Sequence, residues 1–157
     1  MRLASSVGAF LRAPTRRKML ALEVVAELLR ARAMTLLPAR IYTRDFGRMG
    51  AVSGAPKPEA AANGQDIETA TEIGGMVDRV AEVMPFRAVC LQQALASSRM
   101  LRRRGVPAIV YLGVNRDPAE RTAPKLGKAA HAWVEVGSKV ICNDGNLADY
   151  AAVARFD

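Results

Sequence analysis

The sequence holds one histidine and two cysteines among 157 residues, and that scarcity removes several chemistries at once. A zinc centre takes three or four Cys, His or carboxylate ligands at set spacing. Here no Cys-x-x-Cys pair occurs and His131 stands alone, so neither a metal nor a cofactor is expected. Two cysteines make no disulfide framework, and no secretion signal precedes them. The short apolar run after Met1-Arg2 is broken by Arg12, and no small-residue cleavage site follows. Cys90 and Cys142 are therefore expected as free thiols in a reducing, cytoplasmic setting. A membrane span is lacking too. Residues 19–37 are the most apolar stretch, but Glu23, Glu27, Arg30 and Arg32 interrupt it, whereas a span needs ~20 nearly uncharged residues. At most a peripheral membrane contact is left. Aromatic residues number only eight and do not alternate with the basic ones, which gives no reason to expect nucleic-acid binding.

What is present is a globular composition, half hydrophobic and about a quarter charged, long enough to bury a core as one domain over residues 1–157. The net charge of +8 is lopsided: residues 1–50 carry ten basic and three acidic side chains. Such an excess suits an acidic partner, an anionic surface, or simply a solvated face.

Helical patterns come first along the chain. Residues 1–13 read as a short amphipathic helix or a frayed arm. A longer helix opens at Pro14-Thr15 with Thr15 as N-cap, and Pro38 ends it. Its stripe of Leu22, Val25, Leu29, Ala33 and Leu36, widened by Leu20, Val24 and Leu28, predicts a largely buried helix. Residues 39–50 have room for a further short helix. Residues 50–66, rich in Gly, Pro and Ala, read as a loop. Asp66 then caps a helix to about Val83, where Gly74-Gly75 either weakens the helix or lets another element come close. Within the stretch from Phe86 to Gly105 a further helix opens at Cys90, with Arg102, Arg103 and Arg104 in its last turn and Gly105 just past it.

After Gly105 the period changes. Strands are expected over 107–114, 129–136 and 139–142, with Gly137-Ser138 as a turn and a last edge strand over 150–156. A fourteen-residue polar loop, 115–128, separates the first two and is long enough to suggest a role. Helices followed by an antiparallel sheet make an α+β fold.

The chemistry rests on Cys90 and His131. A thiol at a helix N-terminus meets unpaired N–H groups and the positive end of the helix dipole, which favour the reactive thiolate. A two-residue turn at Gly137-Ser138 would set Glu135 opposite Val140, Trp133 opposite Cys142, and His131 opposite Asp144. Directly opposed side chains stand about 5 Å apart. Asp144 would then orient the imidazole, the role an acid plays in a catalytic triad. A longer or shifted turn puts Asn143 there, and an amide can hold the ring as well. Trp133 either walls the site or is a core aromatic, Cys142 is a small buried hydrophobe, and Glu135 is a solvated or ion-paired strand residue. The alternative for Cys90 and His131 themselves is an ordinary structural place in the core.

Three segments together carry a resemblance: Cys90-Leu-Gln-Gln-Ala-Leu-Ala through Leu101-Arg-Arg-Arg-Gly105, Tyr111-Leu-Gly-Val114, and Ala130-His-Ala-Trp-Val-Glu135. The chain resembles the lasso peptide B2 leader peptidases, of the transglutaminase-like (papain-like) cysteine protease superfamily, most clearly over residues 75–157. The resemblance implies a core over residues 66–157 carrying a Cys90, His131, Asp144 triad, with Asn143 as the alternative third member. It implies removal of the leader from a ribosomally made lasso precursor peptide, in concert with a discrete B1 leader-recognition protein. An asparagine-synthetase-like macrolactam cyclase would act on the product. The basic N-terminal helices would be the docking surface for the recognition protein. Arg87, Trp133 and the 115–128 loop are the candidates for substrate contact, and the Cys90 N–H for one oxyanion donor. The same fold could instead serve as an acyl transferase or as a non-catalytic scaffold.

Overall fold

The computed structural model describes residues 13–50, 52, 62–122, 128–143 and 145–157. The arm expected over 1–13 and most of the loop expected over 50–66 fall outside the described residues, as does Asp144.

Two of the three long helices lie directly on one face of a five-stranded antiparallel sheet, and the first long helix packs on those two. Helix α1 spans Thr15–Met34, and a short helix α2 (Ala39–Tyr42) follows it and runs into a 3-10 turn, Thr43–Phe46. Strand β1 is only Met49–Gly50. Helices α3 (Gly64–Ala81) and α4 (Cys90–Arg103) complete the helical layer. Strand β2 (Ile109–Asn115), a short helix α5 (Pro118–Thr122), and strands β3 (Ala130–Val136), β4 (Lys139–Cys142) and β5 (Tyr150–Phe156) follow. The strand order is β1-β5-β2-β3-β4, every pair antiparallel. This is the mixed α+β architecture that the change of period indicated. Among the described residues no helix is long and apolar enough to cross a membrane.

Helix α3 starts one turn before the expected cap. Asn63 is the N-cap: its side chain accepts from the Asp66 N–H at 2.9 Å, and the Asp66 carboxylate accepts from the Asn63 N–H at 3.0 Å. Asp66 is therefore the reciprocal partner of the cap. In the same way Pro14, not Thr15, is the residue before the first turn of α1.

The buried face of α1 also differs from the expected one. Leu20, Ala21, Val24, Leu28 and Ala31 face the core, whereas Leu22 and Leu29 are half exposed and Leu36 is 75% exposed. The reason lies on α4. Glu27 is buried and ion-paired to Arg103 at 2.8 Å and to Arg99 at 3.2 Å, and Glu23 meets Arg103 at 2.9 Å and Arg104 at 2.6 Å. Turning Glu23 and Glu27 toward these arginines rotates the Leu22–Leu29 stripe outward. Burying the acids against fixed guanidinium groups satisfies them at a location where an unpaired charge would be costly.

Strand β5 is not an edge. It lies between β2 and the two-residue β1, where Met49 pairs with Phe156 and the rings of Phe46 and Phe156 sit 5.3 Å apart. Ala132, Val134 and Val136 of β3 point to the helices and are essentially buried, as is Val110 of β2. Their alternating neighbours Tyr111 and Trp133, with Ile109, form a second cluster on the opposite face.

Candidate active site

The sulfur-bearing helix is anchored at its head by the two glutamines that follow the cysteine. Gln92 is fully buried; its Oε1 accepts from the Val89 N–H at 3.2 Å, and its Nε2 donates to Thr35 Oγ1 at 3.0 Å. Gln93 Nε2 donates to the Ala88 carbonyl at 2.8 Å. The approach to Cys90 is thus tied to the C-terminal end of α1 and to its own helix. Cys90 is the first residue of α4, so its N–H has no partner within the helix.

The imidazole comes from the opposite direction. His131 pairs with Gly113 across β2–β3 and lies at the start of β3, where the helix head meets the sheet. The sulfur and the ring act on one another: His131 lowers the Cys90 thiol, and Cys90 raises the His131 imidazole. One ring nitrogen, Nε2, lies 3.0 Å from the Asn143 main-chain carbonyl and donates to it, which leaves Nδ1 for the sulfur. Burial pushes the Cys90 thiol up. Hydrogen bonds from His131 and from the N–H groups of Ala132 and Leu91, with the charge of the imidazolium, outweigh burial and leave it below its ordinary value. His131 is shifted the other way: its bond to the sulfur raises it, burial opposes, and the Asn143 carbonyl and the sulfur's charge reinforce the rise. The two shifts describe one event, stabilisation of a thiolate–imidazolium pair.

Asn143 sits in the left-handed region at φ 58°, a conformation that asparagine tolerates better than most residues. Its two polar groups divide the work. The carbonyl holds His131, and the side-chain Nδ2 donates to the Cys90 carbonyl at 3.0 Å. One residue therefore ties the helix head to the histidine strand. The side-chain amide is not on the ring, where a longer or shifted turn would have put it.

That geometry depends on an irregularity in β4. Val136 pairs with Lys139 and Glu135 with Val140, as a two-residue turn requires, but Val134 then pairs with Cys142. Ile141 is one residue more than the ladder needs, a β-bulge. The expected Trp133–Cys142 pairing is therefore displaced by one, and Cys142 joins Val134 on the helix-facing side, 1% exposed. The bulge rests on α3. A Cβ built on Gly74 would stand 1.7 Å from the Ile141 carbonyl oxygen, so only glycine permits this approach.

On the other face, rings stack in a row. Tyr111 and Trp133 have centroids 5.3 Å apart, Trp133 and His131 6.2 Å, and His131 and Tyr150 4.9 Å. Gly113 makes room for the row: a Cβ there would meet Trp133 Cζ3 at 2.8 Å. Trp133 is 7% exposed, and its Nε1 donates to Glu135 Oε1 at 3.3 Å. The faces of Trp133 and Tyr150 limit the ring to one plane, and such π faces favour a cationic imidazole.

A cleft of about 680 Å³ opens beside the ring, walled by His131, Tyr150, Asn115, Glu120, Lys128 and Asp149 among others. The ends of the 115–128 loop thus border the histidine, while residues 123–127 lie outside the described residues. Arg87 is not in this cleft. It lines a separate groove of about 650 Å³ with Phe86, Asp78, Glu82 and Gln93, and Cys90 lines neither opening. Trp133 lines neither. Among the described residues no three His, Cys, Asp or Glu side chains converge as a metal site would require.

Tyr150 and the Asn143 carbonyl were not singled out in the sequence. Nothing in the chain announces either, because one depends on where β5 enters the sheet and the other on the bulge. Gly74 did leave a signal, a glycine pair inside a helical pattern. A family model described as "Transglutaminase-like superfamily" matches residues 33–155. No curated protein and no solved structure matches the chain.

Proposed function

The chain belongs to the transglutaminase-like superfamily, which includes cysteine proteases, and on that footing we propose that it is a cysteine peptidase with Cys90 as nucleophile and His131 as general acid and base. The observation that supports the reading is that Asn143 ties the Cys90 helix head to the His131 ring, its side chain donating to the Cys90 carbonyl at 3.0 Å and its carbonyl accepting from His131 Nε2 at 3.0 Å, where the two groups lower the thiol and raise the imidazole. A structural cysteine buried among apolar groups would have its thiol raised instead.

In the proposed reaction the Cys90 thiolate attacks the scissile carbonyl carbon, and the oxyanion that forms accepts a hydrogen bond from the Cys90 N–H. His131 gives its proton to the leaving amine as the C–N bond breaks, leaving a thioester on Cys90. Water then attacks the thioester while His131 takes its proton, and the carboxylate product leaves as the thiol is restored. The Asn143 carbonyl keeps Nε2–H occupied, so Nδ1 stays directed at the sulfur through both steps. Asp144, and Asn143 through its side chain, remain the candidates for a third catalytic side chain.

For the substrate, we propose the leader peptide of a lasso precursor. Support comes from the Cys90–Ala96, Tyr111–Val114 and Ala130–Glu135 segments that resemble the B2 leader peptidases. A discrete B1 recognition protein would deliver the precursor, and the asparagine-synthetase-like cyclase would take the freed core peptide. The test is to incubate the chain with a precursor peptide and a leader-recognition protein and to follow masses. The expected result is two fragments whose masses sum to precursor plus one water, absent with Cys90→Ala and with His131→Ala. Fragments joined to an added amine would make it an acyl transferase. No change with any peptide, together with equal alkylation of Cys90 and Cys142, would make it a scaffold.

A further inference from the structure

Helix α1 has a second apolar face that nothing in the described structure covers. Met19, Leu22, Ala26, Leu29 and Ala33 are all exposed, at 62%, 56% and 50% for Met19, Leu22 and Leu29, and Leu36, 75% exposed in the turn just past the helix, follows them. Their spacing alternates three and four residues from end to end, the a/d repeat of a coiled-coil seam. The core-facing residues of the same helix fall on its other side. A surface helix of a globular domain ordinarily has one apolar stripe, so the second one calls for a partner.

The flanks say what kind. Lys18, Val25 and Arg32 line one side of the seam, and Arg16, Glu23 and Arg30 the other. The acid in that set, Glu23, is bound inward by Arg103 and Arg104, and Arg16 is paired to Glu72 at 2.9 Å, so the basic charge presented outward is that of Lys18 and Arg32. Three classes of occupant compete. A second copy would bring Lys18 and Arg32 against the like charges of its own seam. A membrane surface selects a broad apolar face with aromatic residues, whereas this seam is narrow, has no aromatic residue and contains two alanines. An amphipathic helix with an apolar seam and acidic flanks fits both the repeat and the charge. We infer that the outer face of α1 docks such a helix from an acidic partner protein. The inference is independent of the peptidase reading.

The test uses the full chain and a fluorescent three-heptad peptide with Leu at a and d and Glu at e and g, beside a control with Lys at e and g. Anisotropy should show the acidic peptide binding at least tenfold more tightly than the basic one, and more weakly as salt rises. The Leu22→Gln/Leu29→Gln variant, changed only at exposed positions, should lose at least tenfold. Lys18→Glu/Arg32→Glu should reverse the preference between the peptides. Equal binding of both peptides, or indifference to both variants, overturns the proposal. So does a chain that instead dimerises, or that sediments with phosphatidylserine vesicles, through Leu22 and Leu29.

Discussion

The β3–β4 hairpin is regular at one end and irregular at the other, and the two ends follow different physics. At the turn, Gly137 takes φ 60°, the positive value a two-residue hairpin asks of its first loop residue, and pairing proceeds as the turn dictates. At the far end Ile141 is extra, Asn143 is left-handed, and the strand stops where it reaches His131. Local chemistry sets the first end. Packing of the Ile141 carbonyl on Gly74 sets the second. A site that must hold one ring nitrogen and leave the other for a sulfur is built where the ladder is broken.

The largest effect should come from breaking the site end directly. Cys90→Ala and His131→Ala are each expected to lower peptide hydrolysis by at least ~10³-fold, with circular dichroism unchanged. Cys142→Ala should keep most of the activity. The pH dependence follows from the shifts. The lowered thiol keeps thiolate to a pH below the ordinary thiol range, and the raised imidazole keeps imidazolium to a pH above the ordinary imidazole range. Activity falls on the acid side as the thiolate takes a proton and on the alkaline side as the imidazolium loses one. In His131→Ala the midpoint of Cys90 alkylation against pH should move upward; an unmoved midpoint would mean the ring does not tune the sulfur.

Next, Gly74→Ala should sharpen the contrast between a glycine that carries the bulge and one that does not. Its methyl would collide with backbone, for an expected loss of about 2–4 kcal/mol in denaturant unfolding and slower Cys90 alkylation. Its neighbour is the control. A Cβ on Gly75 meets only Arg79 Nη2 at 3.8 Å, so Gly75→Ala should be neutral or stabilising by up to about 1 kcal/mol through helix propensity. At the regular end, Gly137→Ala should cost about 1–2 kcal/mol from the left-handed strain and leave the alkylation rate of Cys90 as it was.

The smallest effect distinguishes main chain from side chain at Asn143. Asn143→Gly keeps the positive φ and the carbonyl on His131 and removes only the donor to the Cys90 carbonyl. It should cost about 0.5–1.5 kcal/mol of stability and less than tenfold in hydrolysis. A loss as large as that of His131→Ala would assign the amide a direct part in the reaction.

Much of this was legible in the chain. Cys90 at a helix head followed from Pro85 before it and the apolar spacing after it. Strand β4 has the expected bounds, and β3 places His131, Trp133 and Glu135 on one side by alternation alone. The misplaced parts share a cause. The Leu22–Leu29 stripe of α1 has core spacing but lies outside, because hydrophobic spacing does not say which of two apolar faces turns inward. Glu23 and Glu27 settle that only once the arginines of α4 are opposite them. Strand β5 was read as an edge because pairing order is not written in any one strand. The Trp133–Cys142 register failed because a bulge is a response to what lies against the strand.

Neighbouring residues alone set the long helices, the helix-head thiol, the turn at Gly137 and the face on which the histidine stands, since each depends on φ, ψ and side-chain period within a few residues. Only the tertiary structure decided that a main-chain carbonyl holds the imidazole, that Tyr150 stacks on it, and that a leucine seam of α1 is left outside. Those depend on contacts between segments far apart in the chain, where a glycine's missing methyl or a buried ion pair fixes the register.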